Sequence, residues 1–131
     1  MSTSKVSVQL YTVRELLTED TAGTLKRIAE IGFTQVEPFA FLSFGDALRQ
    51  GLSEAGLSAP TTHQGFIGGD LDEVFGAAKE LGIQTVIDPF VAPEKWQSAA
   101  GVAQTAEQLN AAAEVAARHG IRVGYHNHDH E

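Results

Sequence analysis

The last seven residues are Tyr125-His126-Asn127-His128-Asp129-His130-Glu131, the densest run of chemically capable side chains in the sequence. Imidazole nitrogens and carboxylate oxygens together suit divalent manganese, zinc, iron or cobalt. If the preceding strand continues through them, a period of two puts Gly124, His126 and His128 on one face and Val123, Tyr125 and Asn127 on the other. In a barrel the first set would point inward and the second toward the helices. The bland alternative is a solvated tail with no role. Other polar groups stand where short β-rich runs end. Gln9 and Tyr11 end the first run, Glu37 the second, His63 the third and Asp88 the fourth. Each alone reads equally well as a hydrogen-bonded structural residue. Their convergence makes the case for a site.

Gly65-Phe-Ile-Gly-Gly-Asp70 lacks the Lys and Ser/Thr of a phosphate loop and the spacing of a dinucleotide fingerprint. It reads as a flexible loop able to fold over a ligand. Trp96 and Phe90 read first as loop residues packed on the last helix, and second as the lining of a pocket mouth. His119 stands beside Gly120 at a helix end, where a cation favours the dipole, and receives no function.

These groups need elements to place them, and one pattern supplies the elements. An amphipathic segment, a glycine and a β-rich run recur four times. The copies are Ala29-Glu-Ile-Gly32-Phe-Thr-Gln-Val-Glu37, Glu54-Ala-Gly56-Leu-Ser-Ala-Pro-Thr-Thr-His63, Lys79-Glu-Leu-Gly82-Ile-Gln-Thr-Val-Ile87 and Arg118-His-Gly120-Ile-Arg-Val-Gly-Tyr-His126. Glycine just past a helix end tolerates the left-handed conformation in which a Cβ would clash. Leu71, Val74, Phe75, Ala78 and Leu81 form one apolar helical face, and Leu109, Ala112, Ala113 and Ala116 form another. Leu25, Ile28 and Ala29 do the same in the first helix, with Asp20 or Thr21 as its N-cap. A further helix spans about 44–55. With the opening run Val6–Tyr11, five strands alternate with four helices.

Strict alternation predicts an α/β fold with a parallel sheet and right-handed crossovers. A partial (β/α) TIM barrel fits, and so does a flavodoxin-like doubly wound sheet. The fifth strand has no helix after it, and a doubly wound sheet would leave that strand uncovered. The expectation is therefore one (β/α) domain over 1–131, the N-terminal half of a barrel.

Composition narrows the function. Seventeen acidic against nine basic residues give a net charge of −8 and a pI near 5.0. That balance disfavours nucleic acid and anionic membrane partners. There are no cysteines, which removes disulfides, thiolate nucleophiles and Cys-ligated zinc. No stretch reads as a signal peptide or bilayer-length apolar helix, so a cytoplasmic location is expected.

Three segments resemble the sugar phosphate isomerase/epimerase family of the xylose isomerase-like barrel superfamily. They are Val8-Gln9-Leu10-Tyr11-Thr12-Val13-Arg14, Ile31-Gly32-Phe33-Thr34-Gln35-Val36-Glu37 and His126-Asn127-His128-Asp129-His130-Glu131. The resemblance spans the whole chain but only the first half of the family's domain. It implies a carbohydrate isomerase or epimerase with a divalent metal, manganese first and zinc, cobalt, magnesium or iron as alternatives. The metal would polarise a carbonyl while acidic residues move a proton at the neighbouring carbon. It makes Glu131 the first metal-ligand candidate and His126 the second. Glu37 and His63 match pocket-lining positions, with His128 beside them; Gln9 and Tyr11 join as strand-end substrate contacts. No catalytic acid or base is assigned. The remaining ligands would lie past residue 131, so the chain alone is expected to be inactive. The substrate would be a sugar or sugar phosphate. The alternatives are an inosose dehydratase-like lyase and a non-catalytic half-barrel that assembles with a partner or as a homo-oligomer. An endonuclease IV-like enzyme is disfavoured by the charge, and a flavin-binding flavodoxin-like module is the rival at fold level.

Overall fold

Each of the four repeated glycines takes a positive φ. Gly32 and Gly56, at +115° and +68°, are the capping residues of their helices, while Gly82 and Gly120, at +77° and +72°, sit one place further on. An L-residue pays about 1–2 kcal/mol to enter this region, which explains why glycine recurs at each junction. The amide after the glycine closes the turn: Leu57 N–H donates to Leu52 O and Ile83 N–H to Ala78 O. The chain then leaves as a strand.

The computed structural model describes residues 6–131. The elements in order are β1 (Ser7–Gln9), α1 (Arg14–Glu19), α2 (Thr21–Ile31), β2 (Gln35–Glu37), α3 (Gly45–Ala55), β3 (Thr61–His63), α4 (Leu71–Glu80), β4 (Thr85–Asp88), α5 (Ala99–Arg118) and β5 (Arg122–Tyr125). Short 3-10 turns cover Leu10–Val13, Phe41–Ser43 and Pro93–Trp96. β1 and β2 form one ladder and β3, β4 and β5 a second, with strands in sequential order. β1–β2 and β4–β5 are parallel. Gln35 also bridges Ser58, which puts the run before β3 beside β2. A flavodoxin-type sheet would place β1 between β2 and β3, so the doubly wound alternative fails on strand order. The fold is alternating α/β with parallel strands in open ladders, a partial barrel type.

The chain divides into two compact units, Met1–Thr62 and His63–Glu131, with the boundary inside β3. In the first, Leu10, Leu25, Val36 and Leu48 are fully buried, and α2 packs on α3. In the second, Phe75, Ala78, Val86 and Ala116 are fully buried, and the Phe66 and Phe75 rings lie 5.5 Å apart. Asp20 caps α2 by accepting from Gly23 N–H, and Asp70 caps α4 by accepting from Glu73 N–H. His119, assigned no function, lies 2.7 Å from Asp72 and links the end of α5 to the start of α4.

Two strand ends differ from expectation. The opening strand stops at Gln9, and Tyr11 lies in a 3-10 turn instead of ending the strand. The cause is local: the Gln9 side chain accepts from Tyr11 N–H at 3.1 Å, and Arg14 donates to Tyr11 O at 3.0 Å. Helix α1 follows directly and was not expected. The last strand stops at Tyr125, so His126 and His128 lie past it, and strand alternation does not govern them.

Candidate functional site

In the first unit the polar groups meet at the end of β2. Gln9 and Glu37 are register partners in the β1–β2 ladder, so their side chains leave the same face at the same level. Gln9 Nε2 donates to Glu37 Oε1 at 2.5 Å, and Thr61 Oγ1 donates to Glu37 Oε2. The carboxylate is half-buried and held through both oxygens. Each oxygen has a second lone pair, so the group can still accept from a ligand hydroxyl. Tyr11 is 55% exposed, packs edge-on against Phe39 at 5.1 Å and carries the Arg14 guanidinium 4.5 Å above its ring.

In the second unit the histidines come together. His63 Nε2 and His126 Nδ1 are 2.9 Å apart, a hydrogen bond in which one nitrogen must donate and the other accept. The rings of His126 and His128 stack at 4.9 Å and 8°, and those of His128 and His130 at 5.5 Å and 24°. The backbone sets this up. Gln64 N–H donates to Ile87 O and His126 N–H to Asp88 O, which brings the ends of β3 and β5 to the end of β4 between them. Glu131 folds back on the stack. It accepts from Tyr125 Oη at 2.6 Å and from His128 N–H at 3.1 Å, and its Oε1 lies 3.3 Å from His128 Nδ1. Burial pushes the Glu131 carboxyl upward, but the hydrogen bonds from Tyr125 and His128 outweigh it and hold the group below its ordinary value. Burial, and then the acceptor at Glu131, push the Tyr125 phenol well above its usual range.

The implied metal meets a different arrangement. Among the described residues no group of three or more His, Asp or Glu is placed to hold an ion. Glu131, the first ligand candidate, already accepts from Tyr125 and His128, and His126, the second, turns Nδ1 to His63. Glu131 keeps a further lone pair and His126 keeps Nε2, so these two could serve a metal only together with ligands from elsewhere.

Asp88 is structural. It is 2% exposed and accepts from Phe66 N–H at 2.9 Å, Ile67 N–H at 3.0 Å and Phe90 N–H at 3.0 Å. These bonds pin the glycine-rich loop after β3 and bury Phe66, so the loop is tethered at its start instead of being flexible throughout. Trp96 donates to Val91 O at 3.4 Å and packs on Tyr125 at 5.6 Å, while its turn packs on α5. Phe90 stays 63% exposed. Two participants were not anticipated. Thr61 holds Glu37; its position two residues before His63, on the same strand face, was the available signal. Gln64 has a buried Oε1 with no partner, and nothing in the sequence marked it.

Neither a protein-family model nor a curated protein sequence matches the chain. Solved structures do. A sugar phosphate isomerase/epimerase from Parabacteroides distasonis superposes with a TM-score of 0.70 at 21% identity, over 97% of this chain and 53% of that one. The 3-keto-D-glucoside 4-epimerase from E. coli, in apo form, gives 0.69 at 21% identity over 92% and 55%. The chain thus spans about half the length of the structures it matches. No helix among the described residues is long and apolar enough to cross a membrane. Over that half-length, the chain has the fold of these two enzymes.

Proposed function

We propose that this chain carries part of the active site of a sugar or sugar-phosphate isomerase/epimerase that moves a proton at the carbon next to a carbonyl. The carrying observation is the His63–His126 hydrogen bond at strand ends of a fold whose solved examples include two such enzymes. An imidazole pair sharing one proton can take a proton at one end and release one at the other, which suits general acid/base work. Glu37, fixed by Gln9 and Thr61, can orient a ligand hydroxyl. His128 is stacked on His126 and held by Glu131, which limits rotation of the pair's outer ring. A divalent metal, manganese first, belongs to this reading only through ligands that residues 6–131 do not supply. The same reading places 1–131 as the N-terminal half of a barrel.

Solvent exchange tests it. A ketose is incubated in D2O with manganese, and loss of the proton next to the carbonyl is followed by NMR. The 131-residue chain is expected to match buffer. The product of the reading frame continued past the codon for Glu131 is expected to exchange, with His63→Ala about 10²-fold slower or worse. No exchange by that longer product with any sugar, or a stop codon directly after Glu131, overturns the proposal in favour of a half-barrel that assembles without catalysing.

A further inference from the structure

Helix α2 has two sides that call for a neighbour. Toward α3 it presents Ala22 and Leu25, and Gly51 of α3 comes so close that a Cβ added there would lie 2.8 Å from Leu25 Cδ1. Successive residues of a helix turn by about 100°, so Thr24, Arg27 and Ile31 stand on the opposite side. There α1 and α2 leave an open groove of about 660 Å³, lined by Val13 and Leu16 ahead of α2 and by Thr24, Ile28 and Ile31 on it. Leu16 is 59% exposed and Ile31 74%. A single exposed apolar side chain is ordinary, but two that flank one groove mark a surface for a partner. The charges at the groove are of both signs, with Lys26 and Glu30 3.9 Å apart, so apolar burial and not net charge would hold an occupant.

The sheet beneath restricts what that occupant is. Among the described residues β1 pairs with β2 and with no other strand, so its second edge is open, and Val6 at its start is exposed. Helix α3 follows β2 and stands on the β2 side of α2, which leaves the groove on the β1 side. A strand for the β1 edge and a helix for the groove are therefore needed side by side, and one further βα unit supplies both. A closed (β/α) barrel meets the same need by pairing its last strand with its first, inside the outer ring of helices. The two matched enzymes are about twice as long as this chain. A second copy that paired its β5 with β1 would bring the strand but no helix, because none follows β5 among the described residues.

We infer that the α1–α2 groove seats an amphipathic helix from the second half of the barrel, with Leu16 and Ile31 as its apolar anchors. The strand ahead of that helix continues the ladder on the open edge of β1. This contact presupposes the half-barrel reading above and fixes where the two halves meet.

The sequence has no cysteine, so single cysteine variants labelled with a maleimide report exposure position by position. Leu16→Cys and Ile31→Cys are compared with Ala47→Cys, an exposed position on α3. In the 131-residue chain all three are expected to label at similar rates. In the product of the reading frame continued past the codon for Glu131, Leu16→Cys and Ile31→Cys are expected to label about tenfold more slowly or worse, because the thiol must wait for local opening. Ala47→Cys is expected to keep its rate. Ile31→Glu needs no label: it is expected to lower the urea midpoint of the longer product and to leave that of the 131-residue chain in place. Equal labelling of the groove positions in both proteins, or an unchanged midpoint of the longer product, overturns the inference. If that product still exchanges the sugar proton, the enzyme reading stands without it. Protection in the 131-residue chain that grows with its own concentration shows a second copy in the groove and also overturns the inference. A stop codon directly after Glu131 removes the occupant and overturns both together.

Discussion

Glu37 and Glu131 are two carboxylates held in opposite ways. Glu37 is held by the sheet: its partner Gln9 is its register mate in the β1–β2 ladder, and Thr61 reaches it from the next strand. Glu131 is held by its own neighbourhood: Tyr125 and His128 lie six and three residues away. The first arrangement is enforced by backbone pairing that must form for the unit to fold. The second depends on a turn past the end of β5, so it can respond to ligand or pH without disturbing the ladder. The ladder-held and the turn-held carboxylate thus lie in different units.

The largest expected effect falls on the frame of the second unit. Asp88→Ala leaves three amides, those of Phe66, Ile67 and Phe90, without their acceptor, the first buried and the other two part-buried. Urea unfolding should show a loss of about 3 kcal/mol or more, because unmade buried hydrogen bonds cost about 1–3 kcal/mol each and do not add fully. A loss below about 1 kcal/mol would mean that the loop after β3 is held by Phe66 alone.

Glu37→Gln comes next. It keeps the shape but replaces a charged acceptor by a neutral amide, so the bonds to Gln9 and Thr61 lose their charge-assisted strength. The expected cost is about 1 kcal/mol by urea unfolding. A neutral outcome would break the contrast, since it would make Glu37 as dispensable to folding as the tail.

His126→Ala should cost little stability, below about 0.5 kcal/mol, because the ring is exposed and stands past the last strand. It should nevertheless abolish the ring-pair signal of His63. A large stability loss would show that the imidazole stack is part of the core.

The smallest effect concerns pH. The Glu131 carboxyl is held below its ordinary value, so its contribution is present above the usual carboxylate range and is lost as pH falls through that range and below it. Tyr125 ring signals should move toward those of a free phenol in acid, while signals from the β1–β2 ladder stay in place. Simultaneous loss of both would contradict independent anchoring.

Much of this was legible in the sequence. The glycines at 32, 56, 82 and 120 mark helix ends because few other residues tolerate that backbone, and Asp20 marks a helix start because its side chain replaces a missing acceptor. Glu37, His63 and His126 could be placed at or just past strand ends because the glycine at each helix end fixes where the next strand begins. The misses share a cause: they depend on register or on contacts distant in sequence. That Gln9 meets Glu37 follows only once Ser7 is set opposite Gln35. Asp88 looked like its fellow strand-end groups, and its three amide partners from two loops settle its role. Tyr11 left the strand because the Gln9 side chain competes for its amide, a local bond that apolar patterning does not encode.

The most direct measurement is of the His63–His126 pair itself, by nitrogen-15 NMR of the histidine rings at neutral pH. The account predicts two fixed, complementary tautomers, one ring donating and the other accepting across the 2.9 Å contact, with one N–H slow to exchange. Two rings that each average freely between tautomers, as an isolated imidazole does, would contradict it.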